Sequence, residues 1–331
     1  MTDENRPLTA AENLASPARR RVLSTASQLV AGAALASTLA RKAEAQPPTA
    51  GAPLSIPGFT PQRIKTSGGV TINAVKAGRG PPVLLLHGAP LTLYTWRDVA
   101  PRLAEEYTVV AADLRGYGDS SKPAGLPDHT NYSKRAMAQD QVDVMRQLGF
   151  DHFAVVGQDR GGRVAHRMAL DHADKVTKAV LIDIAPTYYL YTHVTIDFVQ
   201  AYFHWFNYLR PSPQPENELL AAQAGRQLSP AQAEYQRANG TPEGVHGMCE
   251  DYRAGASIDL VHDAADLHRK IRCPLNVLWA ENGAMDKLYD VLAIWRERGT
   301  DVEGKGMPGG HNMQEGAPDE LLGEIRRFLR A

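Results

Sequence analysis

Asp159 stands at the centre of Gly157-Gln158-Asp159-Arg160-Gly161, with the apolar run Phe153 to Val156 before it and a helical pattern directly after it. Such a sequence predicts a strand, a sharp turn and a helix, a geometry that holds the central side chain on a strained turn while small neighbours let the backbone approach. A carboxylate with an ordinary pKa of about 4 is ionised near neutrality. It can therefore attack without a base, which a serine hydroxyl cannot. Attack on a saturated carbon that carries a leaving group gives an ester with the protein, and water can cleave that ester at its carbonyl. Serine in the same place would give an inert ether. The residue type thus selects carbon-halogen or epoxide substrates over ordinary esters and peptides.

The groups that would complete the chemistry lie far away in sequence. His87-Gly88-Ala89-Pro90 follows a strand-like run, and the backbone amides of Ala89 and Arg160 are the expected donors to an oxyanion. His311, after Pro308-Gly309-Gly310, is the expected base, since an imidazole titrates near the working pH and can activate the water that cleaves the ester. Asp183, in LIDIAP, and Asp286, in AENGAMDKLYD, compete to orient it. Arg160 and Arg163, three apart on the first turn of the helix, share a face near Asp159. Two cations would blunt an attacking carboxylate unless the substrate brings its own negative charge, so the pair is expected to clamp a substrate carboxylate with planar two-pronged donors. The substrate that fits is a small 2-halo acid. His152, His166 and His172 read as surface or packing residues. His246 and Cys249 are spaced like half of a metal site, but no second pair accompanies them, and no metal is expected.

The elements that must position these groups alternate strands with helices. Strand-like runs fall at 63–66, 70–76, 82–86, 108–112, 153–156, 179–182 and 275–279, the later ones continuously apolar, as in a parallel sheet covered on both faces. Amphipathic helices are expected over 96–103, 133–148 and 160–170. The pattern is that of an α/β fold, a doubly wound and mostly parallel sheet whose strand ends carry the converging loops. The rhythm breaks over 185–268, where prolines punctuate helical stretches and no strand pattern appears, which predicts an inserted helical cap between core segments 62–184 and 269–331.

The 331 residues carry a net charge of -1, which gives no sign of a nucleic-acid partner, and a 43% hydrophobic fraction ordinary for a globular core. The two cysteines, Cys249 and Cys273, form no CxxC. Residues 1–45 read as a twin-arginine-type export signal: Arg19-Arg20-Arg21, an Ala-rich stretch to Ala40, and Ala43-Glu44-Ala45 in the small-x-small form that a signal peptidase accepts. The stretch is too weakly hydrophobic for a stable membrane anchor. A Pro/Gly-rich linker follows over 46–61, and the expected address is the periplasm.

Together, VVGQDRGGRVAHRMALDHADKV, LIDIAPTYY, FHWF, VHGMCEDYRAG and PGGH resemble the haloacetate and fluoroacetate dehalogenases of the α/β-hydrolase superfamily. The resemblance covers nearly the whole chain after the signal. It implies Asp159 as nucleophile, His311 as base, Asp183 as its partner, and Arg160 with Arg163 on the substrate carboxylate. It also implies a halide pocket of His204, Trp205 and Tyr235, whose imidazole, indole N–H and phenol O–H supply the donors that a departing halide needs. No cofactor is implied, and homodimers are common among such proteins. Gln158 departs from the family, which usually has His before the nucleophile. Epoxide hydrolysis is the alternative, with cap tyrosines such as Tyr188, Tyr189 and Tyr208 protonating the opening ring. A non-catalytic binding module on the same scaffold is the third reading.

Overall fold

The computed structural model describes residues 52–331; the export signal expected over 1–45 and the first part of the linker lie outside them. Eight strands form one sheet: β1 (Thr60–Lys65), β2 (Thr71–Ala77), β3 (Pro82–Leu86), β4 (Thr108–Ala112), β5 (Phe153–Gln158), β6 (Val176–Ile182), β7 (Leu275–Ala280) and β8 (Val302–Met307). Their order is β1-β2-β4-β3-β5-β6-β7-β8. The first two strands pair antiparallel with their neighbours, and every other pairing is parallel. This is the doubly wound sheet that the alternating pattern predicts.

Two edges differ from the sequence reading. β1 begins at Thr60, inside the expected linker, where Thr60 and Pro61 pair with Lys76 and Val75. An edge strand tolerates a proline because a missing N–H there leaves no inner ladder bond unmade. β8 was not expected at all. Its residues, VEGKGM, alternate between exposed and half-covered positions and include two glycines, so no apolar run marks it. It forms the opposite edge beside β7, where charged side chains guard against edge-to-edge association.

Successive side chains of a strand point to opposite faces, and both faces here are covered. On one, Leu84, Leu86, Val155 and Val277 pack with Met137 and Met145 of a helix at Lys134–Gln147 and with Val164 and Met168 of a helix at Arg160–Asp171. On the other, Val83, Leu85, Val156 and Ile182 meet Trp96 and a C-terminal helix, Pro318–Arg330, through Leu321, Leu322, Ile325 and Phe328. Burial of one such aliphatic side chain contributes roughly 1.5–3 kcal/mol. In chain order the helices used below are α1 (Ala100–Leu103), α2 (Lys134–Gln147), α3 (Arg160–Asp171), seven short helices between β6 and β7, and α11 (Ala284–Leu288), α12 (Val291–Arg296), α13 (Met313–Gly316) and α14 (Pro318–Arg330). Pro101 splits the helix expected over 96–103 into a 3-10 turn at Leu93–Trp96 and α1. Ser133 caps α2 by accepting from the Ala136 amide, which sets that helix's start.

The seven helices between β6 and β7 are α4 (Thr187–Thr192), α5 (Ile196–Ala201), α6 (Phe203–Tyr208), α7 (Gln214–Ala221), α8 (Pro230–Asn239), α9 (Pro242–Gly255) and α10 (Ile258–Ala265). No strand interrupts them. Among the described residues no helix is long and apolar enough to cross a membrane.

α3 lies so close to β3 that a Cβ on Gly161 would come within 2.5 Å of the Leu86 carbonyl oxygen and 2.6 Å of that of His87. Both contacts are backbone and cannot rotate away. Gly161→Ala should therefore cost about 1–3 kcal/mol, as overpacking does, read as a lower urea midpoint; an unchanged midpoint would mean that strand and helix are not held this tightly.

Candidate active site

Asp159 sits between β5 and α3 at φ 46°, a left-handed value that a non-glycine residue adopts only where its surroundings enforce it. The turn projects its carboxylate toward the loop after β3. There the Ala89 amide donates to Asp159 Oδ2 at 3.1 Å. Gly88 permits that approach, since a Cβ on it would lie 2.7 Å from the Asp159 Cβ and 2.3 Å from Gln158 Oε1.

His311 arrives on the loop between β8 and α13. Its Nδ1 is 2.5 Å from Asp183 Oδ2, and its Nε2 is 4.0 Å from Asp159 Oδ2. Asp183 follows β6 at φ 52°, and its other oxygen accepts from the Ala280 amide at 2.9 Å. Asp286 is engaged elsewhere, accepting from the Trp279 indole and the Asn282 amide. Of the two competing acids, the structure brings only Asp183 to His311. Three strand ends thus deliver one carboxylate–imidazole–carboxylate row.

Charge in this row is strongly coupled. Burial disfavours a charged imidazole, but the nearby Asp159 carboxylate, 4.0 Å away, and the hydrogen bond to Asp183 outweigh it and raise His311 to about 10. Burial likewise disfavours the Asp159 carboxylate, yet the neighbouring His311 charge, with Arg160 and Arg163, holds it well below the usual carboxylate range. The resting site is an ion pair of imidazolium and carboxylate.

The two arginines take different places. Arg160 is 1% exposed, and its Nε and Nη2 donate to the Asp251 carboxylate at 2.7 and 2.9 Å. Its guanidinium lies over the Tyr252 ring at 4.3 Å. Asp251, on α9, also takes the Tyr117 hydroxyl and Lys134. Asp251 thus holds two of the three Arg160 nitrogens, and the side chain is not among those that line the cavity around Asp159, where the expectation put it. Arg163 donates from Nη1 to the Ala185 carbonyl and the Thr187 hydroxyl, at 3.1 and 2.9 Å, and stacks on Trp205 at 4.8 Å. Its Nε has no partner although it is buried, and no carboxylate forms an ion pair with it among the described residues. Burial and the neighbouring Arg160 charge lower its pKa.

Asp159, Asp183, His311, Ala89, Arg163, His204 and Trp205 all line one cavity of about 280 Å3. Tyr235 does not. It lines an adjacent cavity, donates its hydroxyl to Glu315, and accepts from Arg97 at 3.1 Å. Tyr202 and Tyr252 stand in the Asp159 cavity instead. The DYRAG segment already contained Tyr252; what could not be read was which face of α9 it occupies. Tyr188 and Tyr189 border a third cavity and Tyr208 the adjacent one, so none of the three tyrosines named for epoxide opening lines the Asp159 cavity.

Cys249 and Cys273 are free thiols, and the described residues contain no group of three or more metal-ligating side chains. His246 accepts from the Gly125 amide and contacts Glu216 rather than Cys249.

Gln158, the departure noted in the sequence, donates from Nε2 to the His311 carbonyl at 3.1 Å and to Asn312 Oδ1 at 3.3 Å. A carbonyl can only accept, so the amide orientation is fixed.

Comparisons with known proteins fit this geometry. The sequence pattern of the alpha/beta hydrolase fold matches residues 81–315. A structure from Nostoc sp PCC 7120 assigned to the α/β hydrolases superposes with a TM-score of 0.80 at 49% identity, covering 83% of this chain and 99% of that one. The chain belongs to the α/β-hydrolase superfamily. It is 44% identical over 283 residues to a fluoroacetate dehalogenase from Burkholderia sp, covering 81% of this chain and 93% of that protein. A soluble epoxide hydrolase from Corynebacterium sp. (strain C12) is more distant, at 31% identity over 79% of this chain and 94% of its own. Within the superfamily, the chain is a member of the haloacetate dehalogenase family.

Two measurements test the site as described. Asp159→Asn removes the charge nearest Nε2, so the His311 ring should titrate below its value of about 10 when followed by NMR. Because this pKa is raised on folding, the stability it contributes is complete below the unfolded value of about 6.5 and is lost as pH rises through about 10. The same variant should flatten the fall in thermal stability above pH 7; an unmoved His311 titration would mean that the two groups do not interact. Gln158→Leu should lower kcat about tenfold, the scale of one lost positioning hydrogen bond, with KM nearly unchanged, whereas a purely packing role would lower the melting temperature and leave kcat intact.

Proposed function

We propose that this protein is a hydrolytic dehalogenase that converts small 2-halo acids, such as haloacetates, to 2-hydroxy acids and halide through an ester on Asp159. One observation carries the reading: a buried guanidinium without a carboxylate partner, Arg163, shares a cavity with an ionised Asp159 and its His311–Asp183 pair. A cation left unpaired in a buried site favours a ligand that supplies the missing negative charge. A halo acid does so and brings a leaving group two atoms away.

The steps follow from the atoms in place. With the acid group on Arg163, an Asp159 oxygen attacks C2, and the carbon-halogen pair of electrons leaves with the halide. His204, Trp205 and, in the place expected for Tyr235, Tyr252 border the cavity and supply donors to that ion. Esterification removes the Asp159 charge, so the contact that most raises His311 disappears and its pKa falls. The ring sheds its proton through its half-exposed edge, its side chain being 45% exposed. It can then act as a base, held in orientation by Asp183. His311 takes a proton from water, hydroxide attacks Asp159 Cγ, and the Ala89 and Arg160 amides stabilise the oxyanion. Collapse releases the hydroxy acid, which recovers the proton from His311. The helices between β6 and β7 act as a cap, since Tyr202, His204, Trp205 and Tyr252 come from them and wall off the reacting groups.

Epoxide hydrolysis is the second reading, favoured by the phenols of Tyr202 and Tyr252 in the cavity and by the more distant relative. Arg163 weighs against it, because an epoxide brings no charge. A periplasmic address rests on Arg19-Arg20-Arg21 and Ala43-Glu44-Ala45 alone, and a homodimer on the family resemblance.

His311→Ala should stop the second half-reaction and leave the ester on Asp159. After incubation with chloroacetate, mass spectrometry of the peptide carrying Asp159 should show the added carboxymethyl group, with one equivalent of chloride released. An adduct with styrene oxide but none with chloroacetate would reverse the ranking. No adduct with either would leave only a binding role.

A further inference from the structure

A second cavity, about 540 Å3, adjoins the one that contains Asp159. Three residues, Ala89, His204 and Tyr252, line both. Arg163, Asp159 and His311 line only the first. The doorway is therefore next to the reacting atoms, because the Ala89 amide is 3.1 Å from Asp159 Oδ2. Beyond it an aliphatic patch of Leu219, Leu228, Val245 and Met248 shares the wall with polar side chains. Of the two charged groups on this side, Glu315 is already neutralised, accepting from Arg97 at 2.7 Å, from Thr95 at 3.1 Å and from the Tyr235 hydroxyl, and Arg226 is exposed to solvent. An apolar guest there would not strand a charge.

Haloacetate has nothing to put in such a space. Its carboxylate belongs on Arg163 and its C2 beside Asp159, and its remaining substituents are hydrogens. A 2-halo acid with a side chain differs in one respect only. Held by the same two contacts, it has C2 at the doorway, so one orientation of its third substituent enters the second cavity. Resting on the dehalogenase reading, we propose that this site also accepts 2-halo acids with an apolar C2 substituent of several carbons, and that the second cavity holds that substituent and selects one enantiomer. The chemistry balances as for haloacetate. The Asp159 oxygen displaces halide from the face opposite it, inverting C2, and the later cleavage occurs at the Asp159 carbonyl. The product is the 2-hydroxy acid of inverted configuration.

A secondary carbon is slower to displacement than the primary carbon of haloacetate, so the informative comparison is among secondary acids. Halide release would be measured for both enantiomers of 2-chloropropanoate, 2-chlorobutanoate and 2-chlorohexanoate, with chloroacetate as reference. Burial of each methylene can raise kcat/KM up to about fourfold, so kcat/KM should climb along the series for one enantiomer only. Met248→Trp, which fills the second cavity away from Asp159 and His311, should abolish that climb and lower 2-chlorohexanoate turnover about tenfold or more, leaving chloroacetate within about twofold. Leu228→Trp provides the same block from another wall if the first variant fails to fold, as judged by circular dichroism.

A kcat/KM that falls steadily from 2-chloropropanoate in the unaltered protein overturns the proposal. Equal loss of chloroacetate and 2-chlorohexanoate turnover in the blocked variant also overturns it, since the space would then be an entrance used by every substrate. Absence of chloride release from chloroacetate in the unaltered protein would instead defeat the dehalogenase reading beneath it.

Discussion

The site depends on which of two adjacent arginines keeps its charge free. Asp251 takes the Arg160 guanidinium through two hydrogen bonds to its carboxylate and a third from Nη2 to its own carbonyl. Because the group is buried on all sides, breaking such a pair would leave an uncompensated charge at a cost of roughly 3–5 kcal/mol. The geometry is therefore fixed. Arg163, one turn further along α3, receives only a carbonyl and a hydroxyl, and so keeps its positive field for the cavity. Had Asp251 faced Arg163 instead, the cavity would hold no cation in excess, and an acid substrate would have no electrostatic reason to enter.

The same balance explains how a nucleophile survives beside two arginines and an imidazolium. A carboxylate held far below its usual pKa is a poor nucleophile in proportion to the stabilisation it receives. The His311 charge contributes most to that, and Arg160 and Arg163 add to it. A bound acid would neutralise Arg163 and so lift part of that restraint. Cavity shape and charge thus act together: the residues that bind the substrate also release the nucleophile.

Much of this was legible in the sequence, for a definite reason. The elbow around Asp159, the loop at Ala89 and the positions of Asp183 and His311 are tied to strand ends, and parallel strands in a covered sheet announce themselves as apolar runs. What escaped depends on contacts distant in sequence or on a helix's rotation. Asp251 lies 91 residues from Arg160, and nothing local marks it as the partner. Tyr235 and Tyr252 occupy neighbouring helices, and only the packing of α8 and α9 decides that the first meets Glu315 while the second meets the cavity. β8 escaped because an edge strand with alternating charges and glycines has no hydrophobic signature. Gln158 was visible as an oddity, but its bond to the His311 loop joins positions 153 apart.

The seven helices leave the sheet at the C-terminal end of β6 and return, through residues 266–274, to the N-terminal end of the parallel strand β7. β6 and β7 are hydrogen-bonded neighbours, with Ala179 opposite Leu275 and Ile182 opposite Leu278, so the insertion runs between two stems that the sheet itself holds in place. Lengthening or exchanging it would add no strain to the ladder and would cost only the slowly growing entropy of a longer closed loop. Asp159, Asp183 and His311 all stay on the sheet's side of those stems. Lineages that share this scaffold could therefore trade one substrate for another by redrafting the roof, with the chemistry underneath left where it is.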